Sequence, residues 1–596
     1  MDKIVTELMK NVMKSRRLNQ QILCRGICDE SMISRYLSGE REPDRITFNV
    51  LLQRLGVSPD HFITILSSQE YIYFHWKMQL LQAVGQSKWH TVRQLLDSPT
   101  AIGAGGNKLM QQQFVFIIRG ILAEEQEHNT DDAVSCFTQA LLLTHPDCAH
   151  ETEYILDLMS NQEWCALLNL IYLTKDTSAS SVTTLQNILY QLEKHPIDEL
   201  ELVKIYPYAV YLLLTCYFHE GRYATCEKLC QKAIALLRKN CTLGNLPELM
   251  EYDIQCKKIL QKITAAEEEQ RQLDALQYVL HDCPVNRRWL FTPMLESGQE
   301  IYIWGKLLSQ KRKEMKMSQK KLCDGICAVS TLRNIEAGKT VPGKHTMQML
   351  LERLELPVSY LKSDIITTDF RILDLHQKLK KLSARNDRSE LTGYLNDLKM
   401  HLDLSILANR QWIQFYQSLC DYKNGVLNNQ TYLNHILSIL RQSIPAFCPS
   451  SISSCQLNHI EVLLIIQLAR GYEYTGNYVQ AIEILEELLL YYKKQEVAFE
   501  YQYRKVTMIT YNLAIYYARS GNYNQSMELL KSILPGQISC NRTLFFPGTI
   551  MEMAHVQLKQ NHAPEAKKYY GIAVLLGKLF YLENVTELSQ KWYDEL

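Results

Sequence analysis

Apolar residues recur along this chain at spacings of three and four, the period of helices that bury one face. The clearest case runs from Leu464 to Tyr474, passes through Gly476-Asn477-Tyr478, and resumes at Ala481, Ile482, Leu485 and Leu488. The same order returns at Tyr511 to Ala518, then Gly521-Asn522-Tyr523, then Met527, Leu530 and Ile533. It returns again at Leu212 to Phe218, Gly221-Arg222-Tyr223, then Cys226, Leu229, Cys230 and Ala233, with weaker forms at Asp132 to Ala140 and Pro564 to Ala573. Each reads as two helices joined by a glycine turn. Strand patterns are scarce, so the periodicity predicts an all-α protein. A lone hairpin of this kind cannot bury its apolar face, and the hairpins are expected to stack. The longest apolar stretches, such as Tyr208 to Phe218, reach about half of the roughly 20 residues that a membrane-spanning helix needs. No membrane partner is expected.

The pattern also repeats on a larger scale. Lys14, Gln20, Leu23, Cys24, Gly26, Ile27, Cys28 and Ser31 recur 299 residues later as Lys313, Gln319, Leu322, Cys323, Gly325, Ile326, Cys327 and Ser330. Gly39, Pro43, Thr47, Leu51, Leu52, Arg54 and Leu55 recur at the same offset as Gly338, Pro342, Thr346, Leu350, Leu351, Arg353 and Leu354. That is 15 identities over 42 positions without a gap. Further on, Gly221-Arg222-Tyr223 lies 300 residues before Gly521-Asn522-Tyr523. The chain therefore reads as two tandem units, each a head followed by a helical body. The expected divisions are 1–66, 67–298, 299–365 and 366–596, with the junction between Cys283 and Glu300, where Pro284, Pro293 and Gly298 fall.

In the second head, Ile303 to Met315 has helical periodicity and Ser318 is placed to cap a short helix from Gln319 to Gly325. Ile326 and Cys327 make a turn. Ser330 to Ala337 form a third helix, stopped by Gly338, and a fourth follows Pro342 from Lys344 to Leu354. Leu322, Cys323, Ile326, Leu332 and Ile335 are spaced to pack the second helix on the third, which is helix-turn-helix geometry. Cys24 with Cys28, and Cys323 with Cys327, sit four apart, but the first of each pair falls on the small core position of that motif. Four thiolates would also have to converge from two domains to bind a metal, so none is expected.

The run Ser318-Gln319-Lys320-Lys321-Leu322-Cys323-Asp324-Gly325-Ile326-Cys327 followed by Ser330-Thr331-Leu332-Arg333-Asn334-Ile335-Glu336-Ala337-Gly338 resembles the phage-repressor, or Xre-type, helix-turn-helix. The first head carries a similar run, Asn19 to Cys28 and Ser31 to Gly39. The resemblance implies double-stranded DNA as partner. By motif position it implies backbone contact by Gln319 and base reading by Ser330, Thr331, Arg333 and Asn334. In the first head the corresponding residues are Gln20, Ser31, Met32, Ser34 and Arg35. Phosphate neutralisation needs local cations. Residues 301–365 hold 12 Lys or Arg against 6 Asp or Glu, whereas residues 1–66 hold 10 against 8 and place Asp29 and Glu30 before the third helix. The second head is expected to dominate DNA binding.

The bodies resemble tetratricopeptide-type repeats, although Gly476 and Gly521 are 45 residues apart rather than the consensus 34. An Xre-type head before such a body is similar to the Rgg, PlcR and PrgX group of peptide-sensing regulators. That resemblance implies a transcription regulator controlled by a signalling peptide. On the inner helices of the second body, Asn512 is the foremost candidate for holding a peptide backbone, with Tyr472 and Tyr516 beside it; the first body has Leu212 where the second has Asn512. Members of the group dimerise. Here one chain could act as a pseudo-dimer, or two chains as a homodimer.

The balance of the composition narrows the classes. Lys plus Arg equals Asp plus Glu at 64 each, so attraction to nucleic acid must come from local patches. Seventeen cysteines in apolar helical patterns and an N-terminus without a secretory pattern point to the cytoplasm. No nucleophile elbow, phosphate loop or metal-ligand spacing is found, so neither an enzyme nor a cofactor is expected. The alternative to a DNA-binding regulator is an interaction adaptor that keeps the heads as scaffold.

Overall fold

The computed structural model describes residues 3–98, 103–104, 106–146, 159–174, 179–281, 292–295, 300–356, 365–367, 369–385 and 391–596. The fold is all-α, as the periodicity predicts; among the described residues the only strands form one two-stranded ribbon. Of the expected junction, only Thr292–Leu295, a short helix, and Glu300 belong to the described residues. The end expected for the second head, 357–364, lies outside them.

The first head consists of helices Lys3–Arg16, Gln20–Cys24, Glu30–Ser38 and Arg45–Arg54, and the second of Trp304–Glu314, Gln319–Cys323, Val329–Glu336 and Lys344–Arg353. Local chemistry sets these ends. The Asn19 side chain accepts from the Ile22 amide and that of Ser318 from the Lys321 amide, each capping the second helix of its head. Gly26 and Gly325, at φ of 67° and 68°, make the turn into the third helix, and Gly39 and Gly338, at 78° and 72°, end it. These are left-handed positions that glycine takes without strain.

The bodies are stacked helix hairpins. In the first, Lys108–Glu125 pairs with Thr130–Leu142, Glu199–His219 with Tyr223–Asn240, and Leu246–Ile259 with Ile263–His281. In the second, Leu407–Lys423 pairs with Asn429–Arg441, His459–Tyr474 with Tyr478–Lys494, Phe499–Arg519 with Tyr523–Ser539, and Phe546–Lys559 with Ala563–Leu579; helix Glu583–Glu595 packs on the last. The glycine turns close in one way. The Gly221, Gly476 and Gly521 amides donate to the carbonyls of Phe218, Glu473 and Ala518, and the next amide reaches five residues back, to Tyr217, Tyr472 and Tyr517. This pair of hydrogen bonds satisfies carbonyls left open at a helix end. Between helices of a hairpin, buried Gln113 donates to the Ala140 carbonyl and to Thr144, at 2.9 and 3.1 Å; Gln411 does the same to Ile439 and Ser443 at the same distances.

The heads are seated differently. The first shares one continuous apolar core with the bodies, whereas the second has a core of its own built on Leu307, Leu308, Leu322, Leu332, Ile335 and Leu350. That core is completed from outside. Strand β1, Thr64–Leu66, leaves the first head and pairs in parallel with β2, Ile301–Ile303, in the register Thr64 with Ile301, Ile65 with Tyr302 and Leu66 with Ile303. Ile63 is buried in the core of the second head and Ile65 packs against it.

The bodies also meet. Tyr501 donates its hydroxyl to the Phe74 carbonyl at 2.7 Å, the Ala498 amide donates to Tyr71, and helix Ile263–His281 lies against Ala563–Leu579.

Candidate nucleic-acid interface and repeat groove

Helix Val329–Glu336 turns Leu332 and Ile335 inward, exposed by 0% and 2%. Helical geometry then sends Ser330, Thr331 and Arg333 to solvent and leaves Asn334 half-buried. The helix is held from both ends of the motif. Arg312, on the first helix, grips Glu336 through Nε at 2.6 Å and Nη2 at 3.0 Å, and its Nη1 donates to the Met317 carbonyl at 2.9 Å. The Gln319 amide donates to the same Glu336 carboxylate at 2.7 Å, so the residue expected to touch the DNA backbone is braced against the recognition helix.

The first head repeats this layout with other side chains. Ile33, Tyr36 and Leu37 of helix Glu30–Ser38 are buried; Ser31, Ser34 and Arg35 are exposed, and Met32 is half-buried. The Ser34 hydroxyl donates to Gln20 at 2.6 Å, again joining the second helix to the third, and Arg41 donates to the Met32 sulfur at 3.4 Å. The ten expected DNA-contacting residues thus form two groups, one on each head. Asp29 and Glu30 are exposed at the start of the first head's helix, with no counterpart in the second.

Arg54 and Arg353 show how the heads diverge. Arg353 donates through Nη1 to the carbonyls of Leu322 and Asp324. Arg54 donates in the same way to Leu23 and Arg25, and also grips Glu163 of the first body with both Nε and Nη2. Both side chains of that pair are buried to 1% exposure or less. Burial alone would raise the Glu163 carboxyl, but the Arg54 guanidinium and His145 overturn it and hold the group well below the usual carboxylate range. The second head meets its body through the first helix instead: Gln310 donates to the Cys455 carbonyl at 2.8 Å, and Glu314 accepts from the Gln456 amide at 2.7 Å.

In the bodies, first helices of successive hairpins touch one another, Glu199–His219 with Leu246–Ile259 and Phe499–Arg519 with Phe546–Lys559. In the second body Asn512 is half-buried there, with a side-chain amide that makes no hydrogen bond among the described residues. Tyr472 is half-buried. Tyr516 is 2% exposed, and its hydroxyl has no partner. Burial, with Glu473 adding to it, pushes that hydroxyl's pKa up.

Charged residues absent from the sequence expectations lie on the same helices and on helix Phe546–Lys559; Arg470 and Glu473 both act on the Tyr516 hydroxyl. Arg470 lies over the Tyr474 ring at 5.6 Å, and the Glu552 carboxyl, 6% exposed, is pushed up to about 7 by burial against the pull of Arg519. A carboxylate inside the apolar run from Phe546 to Val556 was the available signal. The first body is aromatic at the corresponding places: Tyr208 stacks on Tyr211, and Tyr252 meets Tyr211 and Phe218 edge-on at 6.2 and 5.4 Å. Leu212 is buried there.

Among solved structures, the chain is similar to PlcR of Bacillus thuringiensis in complex with the peptide PapR7 and DNA, at 15% identity over 48% of this chain and 98% of that one, with a TM-score of 0.33. It is also similar to the SHP pheromone receptor Rgg2 of Streptococcus dysgalactiae, at 14% identity over 49% of this chain and 99% of that one, with a TM-score of 0.25. Comparison with curated proteins gives no match. The family model described as helix-turn-helix matches residues 308–361, and that segment of the chain is a helix-turn-helix domain.

Proposed function

We propose that this chain is a sequence-specific DNA-binding transcription regulator made of two tandem units that act together as a pseudo-dimer. The observation that carries the reading is the exposed row Ser330, Thr331 and Arg333 on the third helix of the helix-turn-helix domain, in a segment with twice as many cations as carboxylates. Such a row can meet base edges in the major groove while the surrounding Lys and Arg offset phosphate charge.

Tandem duplication is supported by helix starts that recur at 299 or 300 residues: Gln20 and Gln319, Arg45 and Lys344, Glu199 and Phe499, Tyr223 and Tyr523, Leu246 and Phe546. The boundaries 1–66, 67–298, 299–365 and 366–596 follow from it. The pseudo-dimer is supported by the way equivalent segments face each other. The Leu243 and Gly244 amides donate to Asn541 at 2.8 and 2.9 Å, and the Thr543 amide donates to the Cys241 carbonyl at 2.8 Å. Contact between the same patch on both partners is the mark of a twofold interface.

The bodies, read as tetratricopeptide-like arrays, would take a peptide on the second unit, where Asn512 offers an unpaired amide and Arg470 and Glu552 offer charge. The aromatic first body fits a structural role.

The test is a titration of native promoter DNA at several salt concentrations, with and without the secreted peptides of the host. Binding should weaken steeply with salt, and Arg333→Ala and Asn334→Ala should each cost about 1–3 kcal/mol. A shift in affinity on adding peptide supports control through the second body. Salt-independent or absent DNA binding would instead favour an adaptor.

A further inference from the structure

Where the two bodies meet, a cavity opens between helices Glu199–His219 and Phe499–Arg519. Lys204 and Thr242 line it from one unit, Arg504 and Arg542 from the other, and Glu300 and Glu500 stand on its wall. Residues 204 and 504, and 242 and 542, are 300 apart, so the cavity lies where equivalent segments converge.

Its charges are unevenly settled. Lys204 pairs with Glu201 at 2.8 Å and with the fully buried Asp60 at 3.5 Å. Asp60 is shared with Arg542, which stands 3.7 Å away. Arg504 is half-buried and makes no hydrogen bond or ion pair among the described residues. Burial and the neighbouring Arg504 both lower the Arg542 pKa, as expected of two guanidinium groups facing one another. Glu500 takes an amide hydrogen from Gln82, and Glu300 faces His459 at 3.4 Å, so both carboxylates have partners other than the arginines. Thr242 is 3% exposed and its hydroxyl has no partner. A buried hydroxyl left open costs free energy.

We propose that this cavity binds a small oxyanion, a phosphate or a dicarboxylate, held by Arg504 and Arg542 from one unit and by the Thr242 hydroxyl from the other. Such a ligand would meet the Arg504 guanidinium and the Thr242 hydroxyl together, while Glu300 and Glu500 keep their contacts with His459 and Gln82: planar guanidinium groups present paired N–H donors to oxyanions, and a hydroxyl adds a single donor. Because its partners come from both units, the anion ties the bodies together. The site shares no residue with the exposed rows on the third helices of the heads or with Asn512, Tyr472 and Tyr516, and stands whether or not the chain binds DNA.

Calorimetry of the full chain with inorganic phosphate, and separately with succinate, at constant ionic strength set by chloride, tests it. One saturable site per chain is expected for at least one of the two, and the active arm identifies the chemistry. Arg504→Gln and Arg542→Gln should each weaken binding about ten- to a hundredfold. Arg504→Lys, which keeps the charge, should retain part of it, and Arg333→Ala on the recognition helix should leave it unchanged. Absence of saturable binding by both anions overturns the proposal. So does binding that survives both glutamine variants, or that is lost on Arg333→Ala.

Discussion

Arg54 and Arg353, identical residues 299 positions apart, each clamp two carbonyls, Leu23 with Arg25 and Leu322 with Asp324, yet among the described residues only Arg54 reaches a carboxylate of its body. The carboxylate in the matching place of the second body, Glu461, accepts from the Asn458 amide and caps its own helix. This difference ties the first head to its body by a buried ion pair, where the second is held through Gln310 and Glu314. Removing one member of a buried ion pair strands the other and costs about 3–5 kcal/mol. Glu163→Gln should therefore lower stability to urea strongly, whereas Arg353→Met, which loses only bonds to carbonyls, should cost about 1 kcal/mol. The acid limb gives a second readout. With its folded value depressed, Glu163 contributes fully above the ordinary glutamate value of 4.5, and that contribution is lost as pH falls through the folded value. The glutamine variant should show a flatter loss of stability in acid; an unchanged acid limb would mean the pair is not coupled to folding. The sequence displays both arginines as repeat identities. It does not display Glu163, whose pairing spans 109 residues and obeys no local rule.

At the scale of elements, what was legible is what local chemistry determines. The Ser318 cap, the left-handed Gly325 and Gly338, and the apolar spacing of Leu332 and Ile335 define the second head within a residue or two of its helix ends. The ribbon of β1 and β2 was not legible. Strands of three residues carry too short an alternation to read, and a two-stranded ribbon is marginal by itself. It persists because Ile63 and Tyr302, both less than 10% exposed, are anchored in the core of the second head. That makes the second head dependent on the first unit. Ile63→Ala should cost about 2–4 kcal/mol by leaving a void in that core. Hydrogen exchange should localise the effect, with faster exchange at Leu332 and Ile335 and little change at Ile33 and Leu37 of the first head. Equal acceleration in both heads would show that the ribbon is a passive bystander.

For the whole molecule, the two levels of symmetry disagree, and the disagreement decides how DNA should be met. Segments 300 residues apart, around Cys241 and Asn541, face each other, which under the proposed duplication is the contact expected of two chains of a homodimer. The heads are joined by segments that are not equivalent, the exit of the first and the entry of the second. None of these contacts could be read from the sequence, since Asn541 and Tyr501 look like ordinary surface and packing residues until two distant helices are brought together. A homodimer with identical heads prefers two matching half-sites about 34 Å apart. Here Met32, Ser34 and Arg35 stand where the other head has Thr331, Arg333 and Asn334, so identical half-sites would suit neither head fully. Covalent linkage also raises the effective concentration of the second contact once the first is made, which lets a weak first head add affinity. One chain is therefore expected to protect an asymmetric site with two unequal halves, the stronger protection under the second head. Footprinting combined with the mass of the complex checks this. Two chains on a palindrome, with protection from the second heads alone, would mean that the intramolecular interface orders the bodies but does not set the operator.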